Sequence, residues 1–396
     1  MHRDIMRAHS FRVLLIVPTF NESKPPMQDR LKRVTGGTQG AIRRPTQPHP
    51  LEVRILRLKT TLTETVMYRM RKLVALIFLG TVLPGDAPRG ATTELAYPQR
   101  AIRIVVGFPP GGGADTLARL LAHHMETAFG QKVLVENRPG ASGNIAAEFV
   151  AHATPDGYTL FIGTPSNMVH KSVYGRFDFD FASDLTPAAL LATVPQVLVT
   201  RAQAPIVAVK DMIALAQEHP GVLTCASTGF GSDTHLLCEL IQRATHTKLL
   251  HVPYRGGAAA ISDLIAGRVD LLASSLPGAL PYIKAGSVRA LAVTARHGTP
   301  ASRHIPTMEE ADVPGVDMET WFGLMAPAGT PPQVISRLNQ CLNTLFLDPV
   351  LRETFMARGF VAPPGPNTPH TFQTLIAAET KTWTRVLEET GIKATQ

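Results

Sequence analysis

Three times along this chain a short apolar run ends in a glycine-rich loop, and helical periodicity begins at once. The runs are "IRIVV" (102–106) before "GFPPGGGAD", "KVLVEN" (132–137) before "RPGASG", and "VLTCAS" (222–227) before "TGFGSD". A β-branched run such as the first, broken only by Arg103, is the pattern of a strand buried on both faces, as in a parallel sheet flanked by helices. After the first loop, Leu117, Leu120, Leu121, His124, Met125 and Ala128 fall at helical spacing, with Gly130 as a C-cap. A further strand, "YTLFIG" (158–163), ends in the polar loop "TPSNM". The alternation resumes with helix 209–219, helix "THLLCELIQRAT", strand "LLHVPY", loop "RGGAAA" leading into a helix, and strands "VDLLAS" and "VRALAVT". This predicts an α/β fold of wound parallel sheet, in a chain long enough for more than one domain. "APAGTPPQVISRLNQCLNTLF" opens a helical tail in which Thr330 is expected to cap and Pro331 to sit near N1.

The glycine loops carry the functional argument. The first N–H groups of a helix lack partners and the macrodipole is positive there, so an anion is favoured. Glycine lets backbone approach a ligand without a Cβ in the way. Each charge-assisted N–H bond to a carboxylate contributes about 1.5–3 kcal/mol, and the dipole adds about 0.3–1 kcal/mol. Nucleotide motifs do not match: the first loop lacks the Lys-Ser/Thr of a Walker A sequence, and Thr116 holds the last position of the nearest G-x-G-x-x-G frame. Asp115 either complements the first helical turn or positions a water or a ligand amine. Ser232, Asp233 and His235 lie within one turn, which gives weak grounds for a hydrolase. Tyr254 and Arg255 stand at a strand end, where a ligand crevice is expected.

The net charge of +8 is concentrated at the front: residues 1–87 hold 15 of the 39 basic and 6 of the 31 acidic side chains. The remainder is close to neutral and offers no overall electrostatic case for nucleic acid. "MYRMRKLVALIFLGTVLPGDA" has a basic start (Arg69, Arg71, Lys72) and an apolar run from Leu73 to Leu83. A bilayer span needs about 20 residues, so this shorter run reads as the h-region of a secretory signal. Translation is expected to start at Met67 or Met70, with 1–66 a doubtful extension and 67–96 the signal peptide and cleavage region. Cys225, Cys238 and Cys341 contain no C-x-x-C, so no metal framework is expected. They read as small buried hydrophobes, with a Cys225–Cys238 disulfide as the alternative.

Six segments in order, from "YPQRAIRIVVGFPPGGGADTLARLLA" through "GQKVLVENRPGASGNIAAEFVA", "PDGYTLFIG", "STGFGSDTHLLCEL" and "HVPYRGGAAAISDLIAGRVDLL" to "WFGLMAPAGTP", resemble the tripartite tricarboxylate transporter receptor family, the Bug-type solute-binding proteins. The match covers about residues 97–393 almost without gaps. The resemblance implies an exported, monomeric, non-catalytic periplasmic receptor without metal or cofactor. Its fold would be a two-lobed periplasmic binding protein, type II-like, with the ligand cleft between two wound sheets. Lobe 1 would be 97–202 plus 322–396 and lobe 2 would be 203–321. The ligand implied is a small organic anion, a mono-, di- or tricarboxylate, and the partners are membrane permease subunits.

The resemblance also implies the site. The loop holding Phe108, Pro110, Gly111, Gly112, Gly113 and Asp115 would face the loop holding Gly229, Gly231 and Ser232. Pro139, Gly140 and Ala141 would line the same cleft, as would Thr164, Ser166 and Met168. His235, Tyr254 and Gly257 complete the expected set. The chain departs from the family loop P-F-P-P-G-G-x-T-D twice, with Gly107 for the first Pro and Ala114 for the Thr. A sensor for a membrane signalling kinase and a hydrolase using Ser232 and His235 are the other readings carried forward.

Overall fold

The computed structural model describes residues 97–390 apart from 176, 296–298 and 366; the extension 1–66 and the export segment 67–96 lie outside the described residues. Strand β1 (Ile102–Val106) is buried apart from the exposed Arg103. Ile102, Ile104 and Val106 pack in one cluster with Leu117, Leu121 and Met125 of helix α1 (Gly113–Phe129). Val105 packs in another with Phe161, Ala146, Ala147 and Val150. Both faces are therefore covered by helices, and removing one of these side chains, as in Ile104→Ala, should cost about 2–5 kcal/mol. Gly130 ends α1 in the left-handed conformation, its N–H donating to Glu126 O at 2.9 Å.

The chain continues through β2 (Val133–Asn137), a 3-10 turn (Ala141–Gly143), α2 (Asn144–Ala151), β3 (Thr159–Gly163), and the short helices α3 (Pro165–Met168) and α4 (His170–Val173). Strand β4 (Leu185–Arg201) follows, then α5 (Val209–Glu218), β5 (Thr224–Ser227), α6 (Asp233–Thr245), β6 (Leu250–Pro253), α7 (Gly257–Ile265), β7 (Leu271–Ser275), α8 (Leu276–Lys284) and β8 (Val288–Val293). Strand β9 (Glu319–Pro327) leads to α9 (Pro332–Leu347), α10 (Pro349–Ala357) and α11 (Pro369–Thr390). The N-cap of α9 is Pro331 rather than Thr330. Thr330 instead turns its hydroxyl back to donate to Pro327 O at 2.7 Å, closing the turn before the helix.

The sheet is mixed, not purely parallel. Its order is β2-β1-β3-β9-β4-β7-β5-β6, with β8 also paired to β4. The βα units supply parallel pairs: β1 with β2 and β3, and β5 with β6 and β7. The connecting strands β4 and β9 run antiparallel to their neighbours, because they return along the sheet without a crossover helix. Strand β4 changes partners along its length. Leu185 to Pro195 pair with β9, whereas Gln196 to Thr200 pair with β7. One strand thus carries the chain from one wound half to the other, and the crevice lies at the strand ends between them.

Helix α11 contributes to both halves: Phe372 and Ile376 join the cluster around Trp321, and Trp383 joins the one around Leu236 and Leu237. Cys225 and Cys238 are joined by a disulfide, so for this pair the reading as separate buried hydrophobes is corrected. Pairing of β5 against α6 places the two sulfurs together between strand and helix. Cys341 is free and buried.

Candidate functional site

A cavity opens where the two wound halves meet. Its walls are largely the first turns of helices. Gly112, Gly113 and Ala114 belong to the start of α1, Gly257 and Ala258 to the start of α7, and Ser275 and Gly278 to the start of α8. None of these three helices has a side-chain hydrogen bond from its N-cap. First-turn N–H groups have no intrahelical acceptor, so three sets of donors and three positive dipole ends converge. Among the described residues lining the cavity there is no Lys, Arg or His. The donors an anion meets here are first-turn N–H groups and hydroxyls such as those of Ser275 and Tyr282.

The loop before α1 is pinned by Asp115. Its carboxylate accepts from Gly111 N at 2.9 Å, Arg119 Nε at 3.0 Å and Asn137 Nδ2 at 2.9 Å. Asn137 Nδ2 also donates to Phe108 O at 2.9 Å. Burial pushes the Asp115 carboxyl up, but its hydrogen bonds from Arg119, Gly111 and Asn137 outweigh it and hold the carboxyl below the usual carboxylate range. Asp115 is 3% exposed and its oxygens are taken by protein donors, so it shapes the loop instead of meeting a ligand amine. Gly107 has a local reason: a Cβ there would fall 2.4 Å from Gly143 Cα, so the loop packs against the 3-10 turn in a way a proline would obstruct. Gly256 approaches the same loop from the other half. Its φ is +128°, and a Cβ would lie 2.4 Å from Pro109 Cδ.

A second hollow shares Phe108 and Thr228 with the first. It is lined by Gly140, Ala141, Ser142, Tyr174, Gly229, Phe230, Tyr254 and Arg255 among others. Ala141 and Ser142 both sit at left-handed φ, +47° and +52°, a strained pair held by the surrounding contacts.

The residues singled out from sequence therefore divide. Phe108, Gly111, Gly112, Gly113, Thr164 and Gly257 line the first cavity, and Gly140, Ala141, Gly229 and Tyr254 line the second. Pro110 and Pro139 are exposed outside both. Met168 packs against two hydrophobic clusters. Ser166, Gly231, Ser232 and His235 are buried behind the walls. Ser232 is the N-cap of α6: its Oγ donates to Gly229 O at 2.7 Å and accepts from His235 N at 3.2 Å. His235 Nδ1 accepts from Gly231 N at 3.1 Å, and the ring stacks on His251 with centroids 3.6 Å apart. The hydroxyl and the imidazole thus serve the loop and are not paired as nucleophile and base. Sequence reasoning passed over Ser274, Ser275, Gly278, Tyr282 and Phe322. The strand-end position of "SS" after "VDLLA" was the only signal for two of them.

A wound α/β chain whose two sheet halves enclose a cavity built from helix N-termini is a two-lobed solute-binding protein. The model of the tripartite tricarboxylate transporter family receptor matches residues 117–392, and the chain belongs to that family. Protein BugT of Bordetella pertussis is 36% identical over 327 residues, 82% of this chain and 99% of that relative. The structure of R. palustris Rpa4515 with adipate is 36% identical with a TM-score of 0.73, covering 75% of this chain and all of that one. MatC (Rpa3494) from Rhodopseudomonas palustris with bound malate is 32% identical with a TM-score of 0.69, covering 74% of this chain and 100% of that one. The protein is a solute-binding receptor of the tripartite tricarboxylate transporter type. No helix among the described residues is long and apolar enough to cross a membrane.

Proposed function

We propose that this receptor closes on a small organic carboxylate in the cavity between α1, α7 and α8 and presents it, without reacting, to membrane permease subunits. The observation that carries the reading is the convergence of three helix N-termini lacking side-chain caps on a cavity with no basic side chain. Carboxylates in the structures of Rpa4515 and MatC support the ligand class. The lobes are assigned as 97–202 plus 322–396 and 203–321, which the partner change along β4 supports, with α11 packing against both. Contact with both lobes only when closed gives the ligand its differential affinity for that state. Engagement of Ser232 as an N-cap supports a receptor over a hydrolase. The protein acts as a monomer in the periplasm, exported by the segment 67–96; the Cys225–Cys238 disulfide suits an oxidising compartment.

The test is a thermal-shift panel of mono-, di- and tricarboxylates, phosphate and neutral analogues, with turnover of each followed in parallel. A ligand at 100 times its Kd adds about 2.7 kcal/mol of stability. A selective shift with a carboxylate and no turnover is expected. No shift with any carboxylate, or consumption of the one that binds, overturns the reading.

A further inference from the structure

The cavity walls offer donors, but one point on them offers only acceptors. Asp233, the first residue of α6, lines the cavity. Its Oδ2 accepts from Gln196 Nε2 at 2.7 Å, and its Oδ1 accepts from Thr234 N at 3.0 Å. Gln196 is fully buried, at the point where β4 changes partners, and it is paired in register with Ser275 of the α8 N-cap. The other end of that amide, Oε1, is buried without a hydrogen-bond partner. The Thr320 hydroxyl is a third donor beside this carboxyl. A carboxylate has about four acceptor sites, so Asp233 keeps capacity for one further donor from the cavity. A carboxylate-bearing ligand that brought only further acceptors to this point would set acceptor against acceptor, at a desolvation cost.

The first turns of α1 and α7, with Gly112, Gly113 and Gly257, line the same cavity. The cavity therefore pairs two kinds of group: first-turn N–H groups form one side of the pairing and the Asp233 carboxyl the other. An anion alone satisfies the first side only. Resting on the carboxylate reading above, we propose that this receptor takes carboxylic acids that carry a hydrogen-bond donor, a hydroxyl or an ammonium, on the carbon chain, and that Asp233 is the acceptor that selects them. The carboxylate sits on the helix N-termini and the donor meets Asp233. Burial holds the Asp233 carboxyl above the usual carboxylate range against the bonds from Thr320, Thr234 and Gln196, and a ligand donor acts in the same direction as those bonds. Acids of the same length without the donor bind less well because nothing answers this point of the wall.

The experiment compares matched pairs by calorimetric titration on purified protein freed of co-purified ligand: malate and aspartate against succinate, glutamate against glutarate, 2-hydroxyadipate and 2-aminoadipate against adipate. In the wild type, each donor-bearing acid that binds should do so at least about tenfold more tightly than its unsubstituted partner, a difference of about 1.4 kcal/mol. In Asp233→Asn that ratio should fall to within about threefold, with the unsubstituted acid bound as well as before or better. A structural role alone would weaken both members of a pair equally and leave the ratio where it was. Asp233→Ser, which keeps a residue suited to a first helical turn, serves as the second variant if the first does not fold, and the wild-type ratio decides if neither does. Equal binding of both members by the wild type, or a ratio that survives in the variant, overturns the proposal while leaving the carboxylate reading standing. Binding of no acid in the panel removes both.

Discussion

The hydroxyl of Ser142 donates to the carbonyl oxygen of Phe230 at 2.8 Å, joining two loops 88 residues apart. Tyr174 Oη donates to the same oxygen at 2.5 Å. In the proposed division these residues lie in different lobes, and on that reading the bonds are expected to form on closure. Ser142→Ala should weaken ligand binding about 2–10-fold, the equivalent of one hydrogen bond of about 0.5–1.5 kcal/mol, and leave the melting point of the ligand-free protein unchanged. Calorimetric titration and a melting curve check both halves. Loss of ligand-free stability with unaltered affinity would make the bond a permanent tie and not a closure contact.

Asp115 holds the backbone of the 107–113 loop, so Asp115→Asn should cost about 1–3 kcal/mol through donors left without their charged acceptor. The carboxyl is held below its unfolded value of about 3.9. Its stabilisation is therefore complete above that pH and is lost as pH falls through the lower folded value. Denaturant unfolding of wild type and variant should show a gap that is constant at neutral pH and narrows below about pH 4. A gap of equal size at both ends contradicts this account.

His251 also destabilises the fold as pH falls, but because the folded state favours its neutral form. Burial, and then the neighbouring His235, bring its pKa down from 6.5 to about 4 against the pull of Glu239. The unfolded chain takes up a proton first, so stability should decline as pH drops from about 6.5 toward about 4 and level off below. An NMR titration of the ring is the direct check, and a midpoint near 6.5 would show that the stack on His235 does not exclude the charged form. His251→Gln should flatten the stability curve over the same interval.

Replacing both Cys225 and Cys238 by Ala should cost about 3 kcal/mol, since the bond closes a short loop between strand and helix. Thiol counting on unreduced, denatured protein should find one reactive group, Cys341, and three after reduction. Three groups before reduction would mean that the bond does not form in the isolated protein.

Much of the architecture is written in local pattern. The β-branched run 102–106 became a strand of those residues, and "THLLCELIQRAT" lies within α6. Glycines at 111–113 mark a loop that stands on the cavity wall. These features depend on periodicity, turn chemistry and the absence of a Cβ, all of which act over a few residues. Other features depend on partners remote in sequence. Nothing near Leu185–Arg201 announces that one strand serves both halves of the sheet, because that follows from pairing Thr193 with Trp321 and Gln196 with Ser275. Ser232 and His235 could be read as a nucleophile and its base until the fold turned the hydroxyl toward Gly229 O and the ring toward Gly231 N. Asp233 stood in the sequence only as a neighbour of Ser232 and His235 on one turn until Gln196 and the cavity were set beside it. By itself the sequence determined the units, their order and the loops that end in helix N-termini. Only the tertiary structure decided which of those ends meet, because hydrogen-bond pairing and burial between distant segments have no signature in the residues next to them.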